Sequence, residues 1–178
     1  MTTAETSLRL VNPKGTELPQ TPFRMNDRSA GLAGKRLGLM ENSKANADQL
    51  LHELGNILNE RHGFSEVKYF SKHHASLPAK QDVIDSILGE VDYLITCSSC
   101  SVHDGIDMEK RGVPTAAIIT HVFLNTAQAM TRMMGVPEYR YVVAQHPLSS
   151  LTDAEVKQRA AELADEVESI LTGQPVAA

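Results

Sequence analysis

The sequence has two cysteines among its 178 residues, too few to staple a disulfide scaffold of the secreted kind. It has no second CxxC pair to complete the four ligands of a structural zinc site. It has no cluster of Lys and Arg, and its formal net charge is −5, which excludes the basic surface of a nucleic-acid-binding protein. No apolar run approaches the roughly 18 residues that span a bilayer, so no membrane partner is expected. Residues 1–7 lack both the charged and the apolar region of a signal peptide, and the expected location is cytoplasmic. Internal repeats and low-complexity segments are also missing.

What remains is a composition of the ordinary soluble kind, 42% hydrophobic and 22% charged, on a chain long enough for one substantial core. Residues 1–34 read as an N-terminal arm. Residues 8–11 suggest a short edge strand halted at Asn12-Pro13, and Pro19 and Pro22 break the stretch after it. Residues 35–173 read as a single α/β domain, with 174–178 as a tail. Apolar runs at 36–40, 66–70, 91–96, 114–119 and 139–143 predict five strands.

Between the strands lie helical patterns. The first has Asn46 and Gln49 at capping-box spacing, a stripe of Leu50, Leu51, Leu54, Ile57 and Leu58, and a stop at Gly63. A short helix carries Val83, Ile84, Ile87 and Leu88, and a third runs from about Ser99 to Arg111. A fourth of about twelve residues ends at Gly135. The last is capped by Thr152 or Asp153. Strand–helix alternation of this kind predicts right-handed crossovers and a doubly wound parallel sheet of flavodoxin-like order 2-1-3-4-5. Ligands of such sheets bind at the carboxyl ends of strands 1 and 3, where the order reverses.

Both cysteines fall at that edge. Residues 91–97 end in Cys97-Ser98-Ser99-Cys100, and His103 lies one helical turn after Cys100. A sulfur at a helix N-terminus is stabilised as thiolate, the nucleophilic and metal-binding form. Cys97 is expected at or next to the N-cap and Cys100 in the first turn. The candidate catalytic residues are therefore Cys97, Cys100 and His103, the last as partner of a thiolate. Asp104 reads as a complement to the helix dipole. Asn42, Ser43 and Lys44 leave strand 1 at the same edge, and His121 and His146 follow strands 4 and 5. With Ser98 and Ser99 they form the expected binding set for a small anionic substrate. His73-His74 reads as a polar loop. Met130, Met133 and Met134, together with the arm, suggest apolar surface covered in a homo- or hetero-oligomer.

The residues so assembled resemble the UGSC family, named for a selenocysteine- or cysteine-Gly-Ser-Cys motif. The resemblance covers roughly residues 7–172. It is carried by Gly38 to Lys44, by Asn46-Ala47-Asp48, and by the cysteine stretch with Ser101-Val102-His103-Asp104. Glu109 to Pro114, Gly135-Val136-Pro137 and His146-Pro147 add to it. More distantly, residues 97–114 look like the segment around the selenocysteine of the B component of glycine and betaine reductases. Counting back without a gap from His103-Asp104, the family's second cysteine falls on Cys97 and its selenocysteine position on Leu94. A rival frame, which needs a three-residue deletion, makes Cys97–Cys100 the motif itself; the ungapped frame is preferred, and on it the usual redox partner is missing.

The resemblance implies a cysteine-dependent enzyme or enzyme subunit with Cys97 as nucleophile or redox sulfur, and names no cofactor. Two other readings stand beside it. One is a zinc- or copper-dependent enzyme using Cys97, Cys100 and a histidine as ligands. The other is a non-catalytic subunit of a larger reductase-like complex.

Overall fold

The structure is a computed structural model that describes residues 23–97 and 100–176. Five parallel strands lie in the order β2-β1-β3-β4-β5, as the alternating pattern predicts. They are β1 (Arg36–Glu41), β2 (Glu66–Ser71), β3 (Tyr93–Cys97), β4 (Thr115–Thr120) and β5 (Val142–Ala144). The helices are α1 (Ala47–His62), α2 (Gln81–Ile87), α3 (Ser101–Lys110), α4 (Leu124–Met133) and α5 (Asp153–Thr172), and one 3-10 turn, His121–Phe123, leads into α4. The expected edge strand at 8–11 lies outside the described residues.

Strand alternation sorts the core into two layers. Leu37, Leu39, Ile95, Cys97 and Ile118 face α1 and α5, packing on Leu50, Leu54, Val156 and Val167. Met40 and Leu94 face Ile84 and Ile87 of α2 and Met108 of α3, while Ala117 and Ile119 meet α3 and α4. β3 and β4 are buried along their whole lengths, but β2 is an edge strand with no fully buried residue.

Two local details depart from the sequence pattern. Asn46 holds the N-cap position of α1 as its spacing predicts, but its backbone is left-handed (φ 64°) and its side chain makes no cap hydrogen bond. Its amide instead donates to the carbonyls of Leu148 and Leu151 at 2.8 Å each, tying the start of α1 to the loop before α5. The reciprocal capping box is found at α5, between Thr152 and Glu155. β5 is shorter than its apolar run. Tyr139 leaves the ladder to sit beneath Gly105, where an added Cβ would lie 2.4 Å from its hydroxyl, and donates to the carbonyl of Thr115 at 3.3 Å.

One buried carboxylate gathers Asn26 and Arg28 ahead of β1. Glu109, fully buried, pairs with Arg28 and accepts from the backbone N–H of Asn26 at 3.0 Å and of Thr115 at 2.8 Å. Arg28 Nε donates in turn to the carbonyl of Ile170 at 2.8 Å.

Candidate functional site

The carboxyl edge of the sheet collects the loops after β1, β3, β4 and β5. It therefore brings together the elements bearing Asn42, Ser43, Lys44, Cys97, Cys100, His103, His121 and His146. Ser98 and Ser99 lie outside the described residues.

The two sulfurs occupy different environments. Cys97 is the last residue of β3, not the N-cap of α3, and it is fully buried. Alternation turns its side chain toward α1 and α5, away from the helix it precedes. Burial pushes its thiol up to about 12, against the opposing pull of the Lys44 charge. Cys97 therefore does not lie at or next to the N-cap as expected, because the strand runs one residue further than its apolar pattern and α3 begins only at Ser101. Cys100 holds the N-cap position instead and is half-buried, its backbone carbonyl accepting from Asp104 N–H at 3.3 Å. The first N–H groups of the helix and the positive end of its dipole lie next to it.

The loops after β1, β4 and β5 bring Lys44, His121 and His146 to the same edge of the sheet. Lys44 is partly exposed, with its ammonium 5.3 Å from the centre of the Phe123 ring. His121 and His146 are exposed and meet edge to face at 6.3 Å. His121 Nδ1 accepts from the backbone N–H of His146 at 3.1 Å, and Thr120 Oγ1 lies 3.3 Å from His146 Nδ1. Ser43 is exposed in a left-handed conformation (φ 61°), its N–H donating to Glu41. Asn42 is buried, and its Oδ1 has no hydrogen-bond partner among the described residues.

Beneath the first turn of α3 lies a group that the sequence pattern did not single out. Lys72, the residue after β2, pairs with Asp104 at 2.6 Å, each side chain 1% exposed. The second oxygen of Asp104 accepts the N–H of Ala79 at 2.9 Å and lies 3.6 Å from His103 Nδ1. Burial by itself would raise the Asp104 carboxyl. The neighbouring His103 ring, the Lys72 ammonium and the Ala79 N–H together hold it below the ordinary carboxylate value. Asp104 is thus more than a complement to the helix dipole. It fixes the loop after β2 to α3 and stands beside His103. The signal for Lys72 was its place: directly after a strand, at the edge where ligands of such sheets bind.

His73 and His74 are exposed in the loop after β2, where each ring engages its own loop at Ser71 or Ser76. Among the described residues no three His, Cys, Asp or Glu side chains are grouped so as to hold a metal ion, and no helix is long and apolar enough to cross a membrane. A family model described as the UGSC family matches residues 9–173. No curated protein matches the chain.

Proposed function

The chain belongs to the UGSC family, and from that premise we propose that it carries out thiol chemistry on a small anionic substrate at the carboxyl edge of β1 and β3. Cys100 is the reacting sulfur in this reading, and Cys97, three residues back and buried, is the second. The observation that carries it is the position of Cys100: a partly exposed thiol at a helix N-terminus, on a rim whose side chains include Lys44, His121 and His146. Helix N–H groups and the Lys44 ammonium would hold an anion beside the sulfur that attacks it. His103, one turn along α3, is the candidate proton acceptor.

Neither alignment puts the family's first motif position on an exposed residue: with the three-residue deletion it falls on Cys97, which is fully buried. The ungapped alternative puts the reacting position at Leu94, which is fully buried in the middle of β3. A nucleophile there would have no route to a substrate.

Two small alkylating agents that differ in charge test the reading. Anionic iodoacetate, relative to neutral iodoacetamide, should modify Cys100 on the order of tenfold faster than the same ratio for glutathione at low salt. Lys44→Gln and added salt should both reduce that preference. A Cys100 that is inert to both reagents, or that shows the ratio of glutathione, would sink the proposal.

A subunit contact belongs to the same proposal. Val122 and Met133 are 52% and 70% exposed on the turn and helix after β4, and such apolar surface is what a partner covers. Sedimentation at micromolar concentration should give at least a dimer, and a monomer would count against it.

A further inference from the structure

A cavity lies on the α1 face of the sheet, at its β2 edge, and does not include either sulfur. It measures about 230 Å³. Parallel pairing sets Leu39 beside Tyr69 and Glu41 beside Ser71, and alternation turns this two-by-two patch toward α1. Across from it α1 presents Asp48, Leu51 and His52, at the i, i+3 and i+4 spacing of one helix face.

The cavity is chemically two-ended. Its inner end is apolar, with Leu39 and Leu51 each 1% exposed. One wall is aromatic: the Tyr69 ring stacks on His52 at 3.9 Å with the planes 21° apart. Tyr69 is nevertheless 48% exposed, an unusual amount of aromatic surface to leave beside a hole. Two carboxylates, Glu41 and Asp48, complete the lining. Glu41 accepts from the N–H of Ser43, and neither carboxylate forms an ion pair with a cationic side chain among the described residues.

We propose that this cavity binds a small amphiphilic amine, with an apolar body of one ring or a short alkyl chain against Leu39 and Leu51 and its ammonium between Glu41 and Asp48. Burial of the body supplies the bulk of the affinity. The two carboxylates select positive charge, and the exposed part of the Tyr69 ring, beside Leu39, adds contact for the apolar body. The volume is below that of sites for drug-sized ligands, which limits the ligand to a single ring.

Phenethylamine, 2-phenylethanol and phenylacetate form a matched set of probes of one shape and three charges. In calorimetric and two-dimensional NMR titrations of the full chain, phenethylamine should bind and move the amide signals of Leu39, Leu51, His52 and Tyr69. The alcohol should bind more weakly, and the acid should not bind. Glu41→Gln with Asp48→Asn should weaken the amine about tenfold, the sum expected of two partly exposed ion pairs, and leave the alcohol unchanged. The proposal fails if the alcohol or the acid equals the amine, if the double variant binds the amine as well as the parent does, or if millimolar amine moves none of those signals.

Discussion

Lys72→Met is expected to cost about 3–5 kcal/mol of folding stability, because it leaves the Asp104 carboxylate buried without its counter-charge. Both partners are 1% exposed and 2.6 Å apart, so water cannot take the place of the missing ammonium. Adding Asp104→Asn should recover much of the loss. The buried charge is then gone, while the asparagine oxygen still accepts the N–H of Ala79. Urea denaturation of the single and double variants measures the difference. Equal stability in the two would show that the ion pair is not the unit that matters.

The pH dependence has a definite sign. The Asp104 carboxyl lies below its ordinary value in the folded state, so the unfolded chain takes up its proton first. The stability due to this group is present above about pH 4 and is lost as pH falls through the folded-state value. The double variant should lack that component of acid sensitivity.

The second large effect concerns Cys97. Iodoacetamide should label Cys100 in the native protein and spare Cys97, which has no exposed surface and can react only when the sheet edge opens. For an opening free energy of about 5 kcal/mol, protection is on the order of a thousandfold or more. Alkali should reverse this. The folded-state thiol is raised from about 9 to about 12, so the folded protein holds a proton that the unfolded chain releases. Stability is full below about pH 9 and falls as pH rises toward 12. The gap between the two values corresponds to roughly 4 kcal/mol. Cys97→Ala should remove this alkaline component, read as a flatter plot of denaturation midpoint against pH. Labelling of Cys97 as fast as Cys100 at neutral pH would overturn the assignment of the buried sulfur.

The sheet order was legible because it rests on long apolar runs at regular spacing, and β1, β3 and β4 have no other way to bury them. Ends of elements were harder. Nothing in the residues 91–97 says that the strand takes in Cys97 and that the helix waits for Ser101. That one-residue extension sends the sulfur to the opposite face of the sheet. Asn46 has the right spacing to cap α1, yet two carbonyls more than a hundred residues away compete for its side chain and win. The Lys72–Asp104 pair was hidden for a related reason: its partners are 32 residues apart and meet only once β2 and α3 share an edge. The site residues after β1, β4 and β5 could be placed on one rim because topology alone decides which loops meet there.

The clasp at Glu109 bears on the order in which the molecule assembles. Arg28 contacts Glu109 across 81 residues of chain and Ile170 across 142. Neither partner exists as a receptor until α3 has docked on β4 and the last turn of α5 has formed. Contacts of that span are expected to close late, because their loop-closure entropy is the largest. Late contacts chiefly govern how fast a protein comes apart, not how fast it goes together. The segment at residues 26–28 is thus a lock that closes on a finished sheet. Arg28→Met should therefore speed unfolding more than it slows folding, as read in stopped-flow denaturant jumps.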